Sequence, residues 1–133
     1  MSNEPQKSKI LIVEDEASLR RALCDKFIRE DFEVFEAKDG EVGLLVATKE
    51  KPDIILLDMM MPKMDGITML HHLRTVGTWG LTVPVLLLTN VSSDDKRMLK
   101  EVSEDISSHY LVKSDWPISK LVIRVREAIA GVE

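Results

Sequence analysis

The chain has 133 residues, 44% of them hydrophobic and 31% charged, and a net charge of −5. That length suits one domain with an ordinary hydrophobic core and no need of disulfides or a structural metal. The acidic balance without a Lys/Arg cluster argues against a nucleic-acid surface, and no apolar run is long enough to cross a bilayer.

In chain order, residues 1–8 are polar, carry Pro5 and read as a flexible arm; they lack the apolar core of a signal peptide. "KILIV" (9–13) is a short apolar run that ends on Glu14, Asp15 and Glu16. Leu19, Ala22, Leu23 and Phe27 then recur at helical spacing over 16–30. "FEVFEA" (32–37) partly alternates, as an edge strand would, and a weaker helix is expected near 40–50. "DIILL" (53–57) ends on Asp58; Pro62 and Gly66 punctuate the following loop, and Asp65 is placed to cap a helix over 65–75. "VPVLLL" (83–88) ends on Thr89 and precedes a helix near 93–104. "HYLV" (109–112) ends on Lys113, and Ile118, Leu121, Val122, Val125 and Ile129 mark a last helix over 117–130, before a short tail at 131–133.

Apolar runs too short for helices suit strands covered on both faces. Alternated with helices, they predict an α/β fold, a parallel sheet with right-handed crossovers and helices on both sides. Ligands of such sheets bind beyond the carboxyl ends of the strands. The informative residues are therefore Glu14, Asp15, Asp58, Thr89 and Lys113. Carboxylates about 4 Å apart repel by roughly 4 kcal/mol at an effective dielectric near 20. Lys113 alone would not balance them, whereas a hard divalent ion, Mg²⁺ above all, would, and would bring a phosphate group in beside them. Asp58 is then a nucleophile toward phosphorus, with Thr89 and Lys113 holding the phosphoryl oxygens.

"VEDE" (13–16), "LLDMMMPKMDG" (56–66) with its D-x-x-x-P-x-x-D-G spacing, "LLLTN" (86–90) and "YLVK" (110–113) resemble the receiver domain of two-component response regulators. The resemblance covers about residues 9–130. It implies a single flavodoxin-like, doubly wound five-stranded sheet of order 2-1-3-4-5 with five helices. It also implies that Asp58 accepts a phosphoryl group from a sensor histidine kinase or a histidine phosphotransfer protein. Asp15, Asp58 and the Met60 carbonyl would bind Mg²⁺, with Glu14 acting through water, and Thr89 and Lys113 would contact the acyl phosphate. Thr89 and Tyr110 form the implied switch, which remodels the face of the fourth helix, last strand and last helix for a downstream effector. The implied setting is cytoplasmic signalling, without membrane or direct nucleic-acid contact, by a domain that catalyses only its own phosphoryl transfer and dephosphorylation. Homodimer formation on phosphorylation stays open.

Three stretches depart from the family pattern. Asn90 stands where a small residue is usual, Ser114 follows Lys113 where proline is usual, with Pro117 the nearest proline, and "VSEDISSHY" (102–110) replaces a Gly-Ala approach to the last strand. They bear on acyl-phosphate lifetime, loop geometry and the output face; Asn90 and Ser114 keep a second function in play, a degenerate receiver that binds partners without phosphorylation, which the intact Asp15, Asp58 and Lys113 disfavour. A hydrolase with an aspartyl intermediate is disfavoured, because "LLDMM" has no second acid of a D-x-D pair, and no nucleotide-binding glycine loop is present.

The remaining residues have plainer readings. Glu14 and Asp15 can also cap the first helix, Glu16 begins it as a solvated residue, and His71 and His72 lie on a solvated face. Cys24, the only cysteine, reads as structural, Met59, Met60 and Met61 as packing or a loop lid, and Trp79 and Trp116 as partly buried residues near turns.

Overall fold

The computed structural model describes residues 6–61, 63–89, 108–112 and 116–131, with the backbone alone for 108–110 and 112. Its elements are β1 (Lys9–Val13), α1 (Ala17–Arg29), β2 (Glu33–Ala37), α2 (Gly40–Glu50), β3 (Ile54–Asp58), α3 (Gly66–Leu73), α4 (Gly77–Thr82), β4 (Val85–Thr89), β5 (Ser108–Val112) and α5 (Ile118–Ile129). The strands form one parallel sheet of order β2-β1-β3-β4-β5, as expected. The helix expected over 93–104 and the positions Pro62, Asn90, Lys113 and Ser114 lie outside the described residues.

The period of two in a strand sends successive side chains to opposite faces, and here both faces are covered. Ile10, Ile12, Ile54, Leu56, Leu86 and Leu88 pack under Leu23 and Phe27 of α1 and Leu121, Val122 and Val125 of α5. Leu11, Val13, Ile55, Leu57, Val85 and Leu87 pack under Ala47 of α2 and Met69, Leu70 and Leu73 of α3. This two-sided burial is why the central strands read as unbroken apolar runs. The edge strand β2 is only partly covered, in keeping with its interrupted alternation. Cys24 lies in the first of these layers, and burial, assisted by the neighbouring Glu36 carboxylate, pushes its thiol up to about 12.

Several boundaries differ from those expected. Asp58 and Thr89 are the last residues of their strands and do not follow them, because Met59 N–H donates to the Leu88 carbonyl at 2.9 Å and so extends the ladder past Leu57. β4 starts at Val85 because the preceding turn is helical: Gly77–Thr82 forms a short helix where only a turn around Trp79 is expected from sequence. Six residues are too few to display a 3.6-residue period, so tertiary contacts decide. The Arg74 guanidinium donates to the carbonyls of Gly80 (3.0 Å) and Val83 (2.7 Å), and the Trp79 indole donates to the Pro52 carbonyl at 3.1 Å.

Candidate functional site

Register assembles the site. Val13 pairs with Leu57 across β1 and β3, so Glu14 and Asp58, the next residues of each strand, stand side by side. On the other flank, Asp58 pairs with Leu88 of β4, which places Thr89 one residue beyond it. Glu14, Asp58 and Thr89 are all buried, with 2%, 4% and 3% of their surface exposed, while Asp15 faces solvent. Among the described residues, Glu14, Asp15 and Asp58 form a group whose carboxylate oxygens lie within 4.8 Å of one another.

Local hydrogen bonds hold each acid. The Met60 N–H donates to Asp58 Oδ1 at 3.1 Å, an Asx turn that bends the chain away immediately after the strand. Glu16 N–H donates to Glu14 Oε2 at 3.2 Å, and Glu14 N–H donates to the Ala37 carbonyl at the end of β2. The N-cap of α1 is Glu16, without a side-chain capping bond, so the expectation that Glu14 or Asp15 caps this helix is corrected. The Glu14 carboxylate folds back on the N-cap's own N–H, short of the first helical turn. Asp65 does cap α3, accepting from the Thr68 N–H at 2.8 Å, and the buried Asp39 caps α2 through the Val42 N–H at 2.9 Å.

Two glycines let the Asp58 loop pack this tightly. A Cβ on Gly66 would lie 2.7 Å from the Asp58 carbonyl oxygen and 2.9 Å from Met59 Cα. A Cβ on Gly40, at the start of α2, would lie 2.6 Å from the Met64 carbonyl oxygen. Met59 fills the core beneath the loop, Met61 packs against it, and Met60 is 61% exposed. The reading of this methionine run as packing thus holds for two of the three.

The electrostatics fit a cation site. Burial first, and then the hydrogen-bonded and negatively charged Asp58 beside it, push the Glu14 carboxyl up from 4.5 to about 7. Three clustered carboxylates, two of them buried, make a hard, all-oxygen donor set suited to a small divalent cation. A pH dependence follows from the sign of the shift. The unfolded chain releases the Glu14 proton near 4.5, whereas the folded protein keeps it until about 7. Stability from this group is therefore complete below 4.5 and lost as pH rises through 7. In chelator, the melting temperature of wild type relative to Glu14→Gln should fall by a few degrees between pH 5 and pH 7.5. A difference that does not change with pH would dismiss the shift.

Of the residues expected at the site, Glu14, Asp15, Asp58 and Thr89 come together at the carboxyl edge of the sheet. Tyr110 is in β5 with its backbone opposite Leu87; its side chain, like Lys113, lies outside what is described. His71 and His72 are exposed on α3, as expected. One neighbour of the site escaped the sequence reading. Arg20 of α1 reaches back to the Glu14 peptide, and its spacing in the sequence does not set it apart from the exposed Arg21.

Comparison with known proteins agrees with this architecture. The chain is 36% identical over 129 residues to a protein of Porphyridium aerugineum named probable transcriptional regulator ycf27, covering 96% of this chain and 50% of the relative. It is 36% identical over 96 residues to sporulation initiation phosphotransferase F of Bacillus subtilis, covering 72% of this chain and 73% of that protein. The chain thus spans about half the length of the ycf27 relatives. Among solved structures, the chemotaxis protein CheY4 of Vibrio cholerae superposes with a TM-score of 0.82 at 27% identity, over 92% of this chain and 99% of that one. Among the described residues, no helix is long and apolar enough to cross a membrane. Residues 10–126, from the first buried strand into the last helix, match the response regulator receiver domain, and the chain belongs to that family of two-component signalling domains.

Proposed function

We propose that this receiver is a phosphorylation-controlled switch in a cytoplasmic phosphorelay, with Asp58 as the phosphoacceptor. The observation that carries the reading is the placement of Asp58: buried at the tip of a central strand, with two further carboxylates within 4.8 Å. In the proposed step a carboxylate oxygen of Asp58 attacks the phosphorus of a phosphohistidine on a sensor kinase or phosphotransfer protein. The O–P bond forms, the P–N bond breaks, and the imidazole nitrogen keeps the electron pair. Asp15, Asp58 and the Met60 carbonyl would hold Mg²⁺, with Glu14 acting through water; when bound, the ion would neutralise the acids and draw charge from the phosphoryl oxygens. The Met60 N–H donates to Asp58 Oδ1 and fixes the orientation of the carboxylate at the strand tip.

The Thr89 hydroxyl and the Lys113 ammonium bind the transferred phosphoryl oxygens. Thr89 moves toward them, Tyr110 follows, and the surface made by β5, α5 and the helix expected over 93–104 changes for a downstream effector. The name of the Bacillus subtilis relative, a phosphotransferase, supports transfer chemistry of this class. The chain turns over no separate metabolite.

Incubation with acetyl phosphate and Mg²⁺, followed by intact-mass measurement and fragmentation, tests the proposal. A single phosphoryl adduct on Asp58, lost when EDTA replaces Mg²⁺, is expected. No adduct from this donor or from a phosphorylated histidine kinase would leave the degenerate binding module as the better reading.

A further inference from the structure

The Glu14 peptide is gripped from two sides. Its N–H donates to the Ala37 carbonyl at 3.0 Å, and its carbonyl accepts from Arg20 Nη1 at 2.8 Å. The same guanidinium places Nε 3.6 Å from Glu36 Oε1 on β2, and the Arg20 side chain is only 19% exposed. Arg20 thus ties α1, the β1–α1 turn and the edge strand β2 together at Glu14, in the turn that carries two of the three clustered acids. A planar guanidinium reaches a carbonyl and a carboxylate at once through a rigid fork.

We propose that Arg20 is a positioning residue for the acid cluster: by fixing the Glu14 carbonyl it sets where the Glu14 and Asp15 carboxylates converge with Asp58, and so sets cation affinity. The inference rests on the reading of that cluster as a divalent-cation site. Like-charged carboxylates push one another apart, and the turn that carries two of them has to be held from behind. Residues that orient metal ligands from outside the coordination shell commonly contribute 10–100-fold to affinity.

The sign of the effect separates positioning from plain electrostatics. Arg20 is a cation near an acidic site, so a purely charge-based role predicts that its loss tightens binding of Mg²⁺. Loss of positioning predicts the reverse.

The test is a titration of the whole chain with MgCl₂ alone, followed by the backbone amide resonances of Glu14, Asp15 and Glu16, for wild type, Arg20→Gln, Arg20→Lys and Glu36→Gln. The expected result is binding about tenfold weaker in Arg20→Gln, partly restored in Arg20→Lys, with Glu36→Gln between Arg20→Gln and wild type. The same spectra report whether each variant is folded. If Arg20→Gln does not fold, Arg20→Lys decides, since a single ammonium cannot reproduce the fork and should still bind Mg²⁺ several-fold more weakly. Unchanged or tighter binding in a folded Arg20 variant overturns the proposal. Absence of saturable Mg²⁺ binding in wild type overturns instead the cation reading beneath it.

Discussion

Asp58→Asn should abolish the phosphoryl adduct altogether and, in chelator, raise the melting temperature by several degrees. The first effect follows because an amide oxygen does not carry the electron density needed to attack phosphorus. The second follows because the substitution removes one negative charge from a cluster of three acids, two of them buried, held within 4.8 Å. A pair of charges at about 4 Å is worth roughly 4 kcal/mol at an effective dielectric near 20, an upper bound here because Glu14 shares the strain by retaining its proton. Asparagine keeps an oxygen for the Met60 N–H, so the turn after β3 survives and the effect can be read against an intact fold. Millimolar Mg²⁺ should stabilise wild type and have much less effect on the variant. Scanning calorimetry with and without Mg²⁺, beside intact-mass measurement with acetyl phosphate, checks both halves. An adduct of undiminished yield in Asp58→Asn would remove Asp58 from the chemistry.

Gly66→Ala should destabilise the protein by about 2 kcal/mol and slow adduct formation, although residue 66 touches neither metal nor phosphate in the proposed mechanism. The added Cβ meets backbone on two sides, the Asp58 carbonyl oxygen at 2.7 Å and Met59 Cα at 2.9 Å, and backbone cannot rotate away as a side chain can. Either α3 backs off and loses the Gly66 N–H bond to the Met59 carbonyl, or the end of β3 moves and takes the Asp58 carboxylate with it. Gly77→Ala is the control. A Cβ there meets nothing within 4 Å, so its cost comes from the positive φ of +54° alone, about 1 kcal/mol, with adduct formation unchanged. Urea unfolding and the rate of adduct formation measure the two effects. A Gly66→Ala variant as stable and as reactive as wild type would show that the loop accommodates the methyl group.

Much of this molecule is legible in its sequence because the relevant physics is local or periodic. A strand covered on both faces has to be apolar at every position, so "KILIV", "DIILL" and "VPVLLL" announce central strands of a parallel sheet. The α1 and α5 faces follow from 3.6-residue spacing, and Asp65 is recognisable as a cap because it immediately precedes a helix that starts at Gly66. Acids and a hydroxyl at the ends of such strands must meet, since parallel strands in one sheet bring all their carboxyl ends to the same edge. The candidate site was therefore readable as far as Glu14, Asp15, Asp58 and Thr89, and the family resemblance rests on the motifs that contain them together with "YLVK" (110–113).

Tertiary structure decided what depends on contacts between distant residues. The helix at Gly77–Thr82 is too short to display its own period and is fixed by Arg74 and Trp79 reaching backbone carbonyls elsewhere. The difference between Glu14, which is buried and holds its proton to about 7, and the exposed Asp15 beside it comes from the register of β1 against β3. Arg20 and Arg21 are chemically identical neighbours in sequence, and only the rotation of α1 over the sheet turns one toward the Glu14 carbonyl and leaves the other in water. Composition and spacing specify which groups are available and which edge they occupy. Helix rotation, strand register and the close approach allowed by Gly40 and Gly66 determine the distances between them, and it is at those distances that charges couple and a cation can be held.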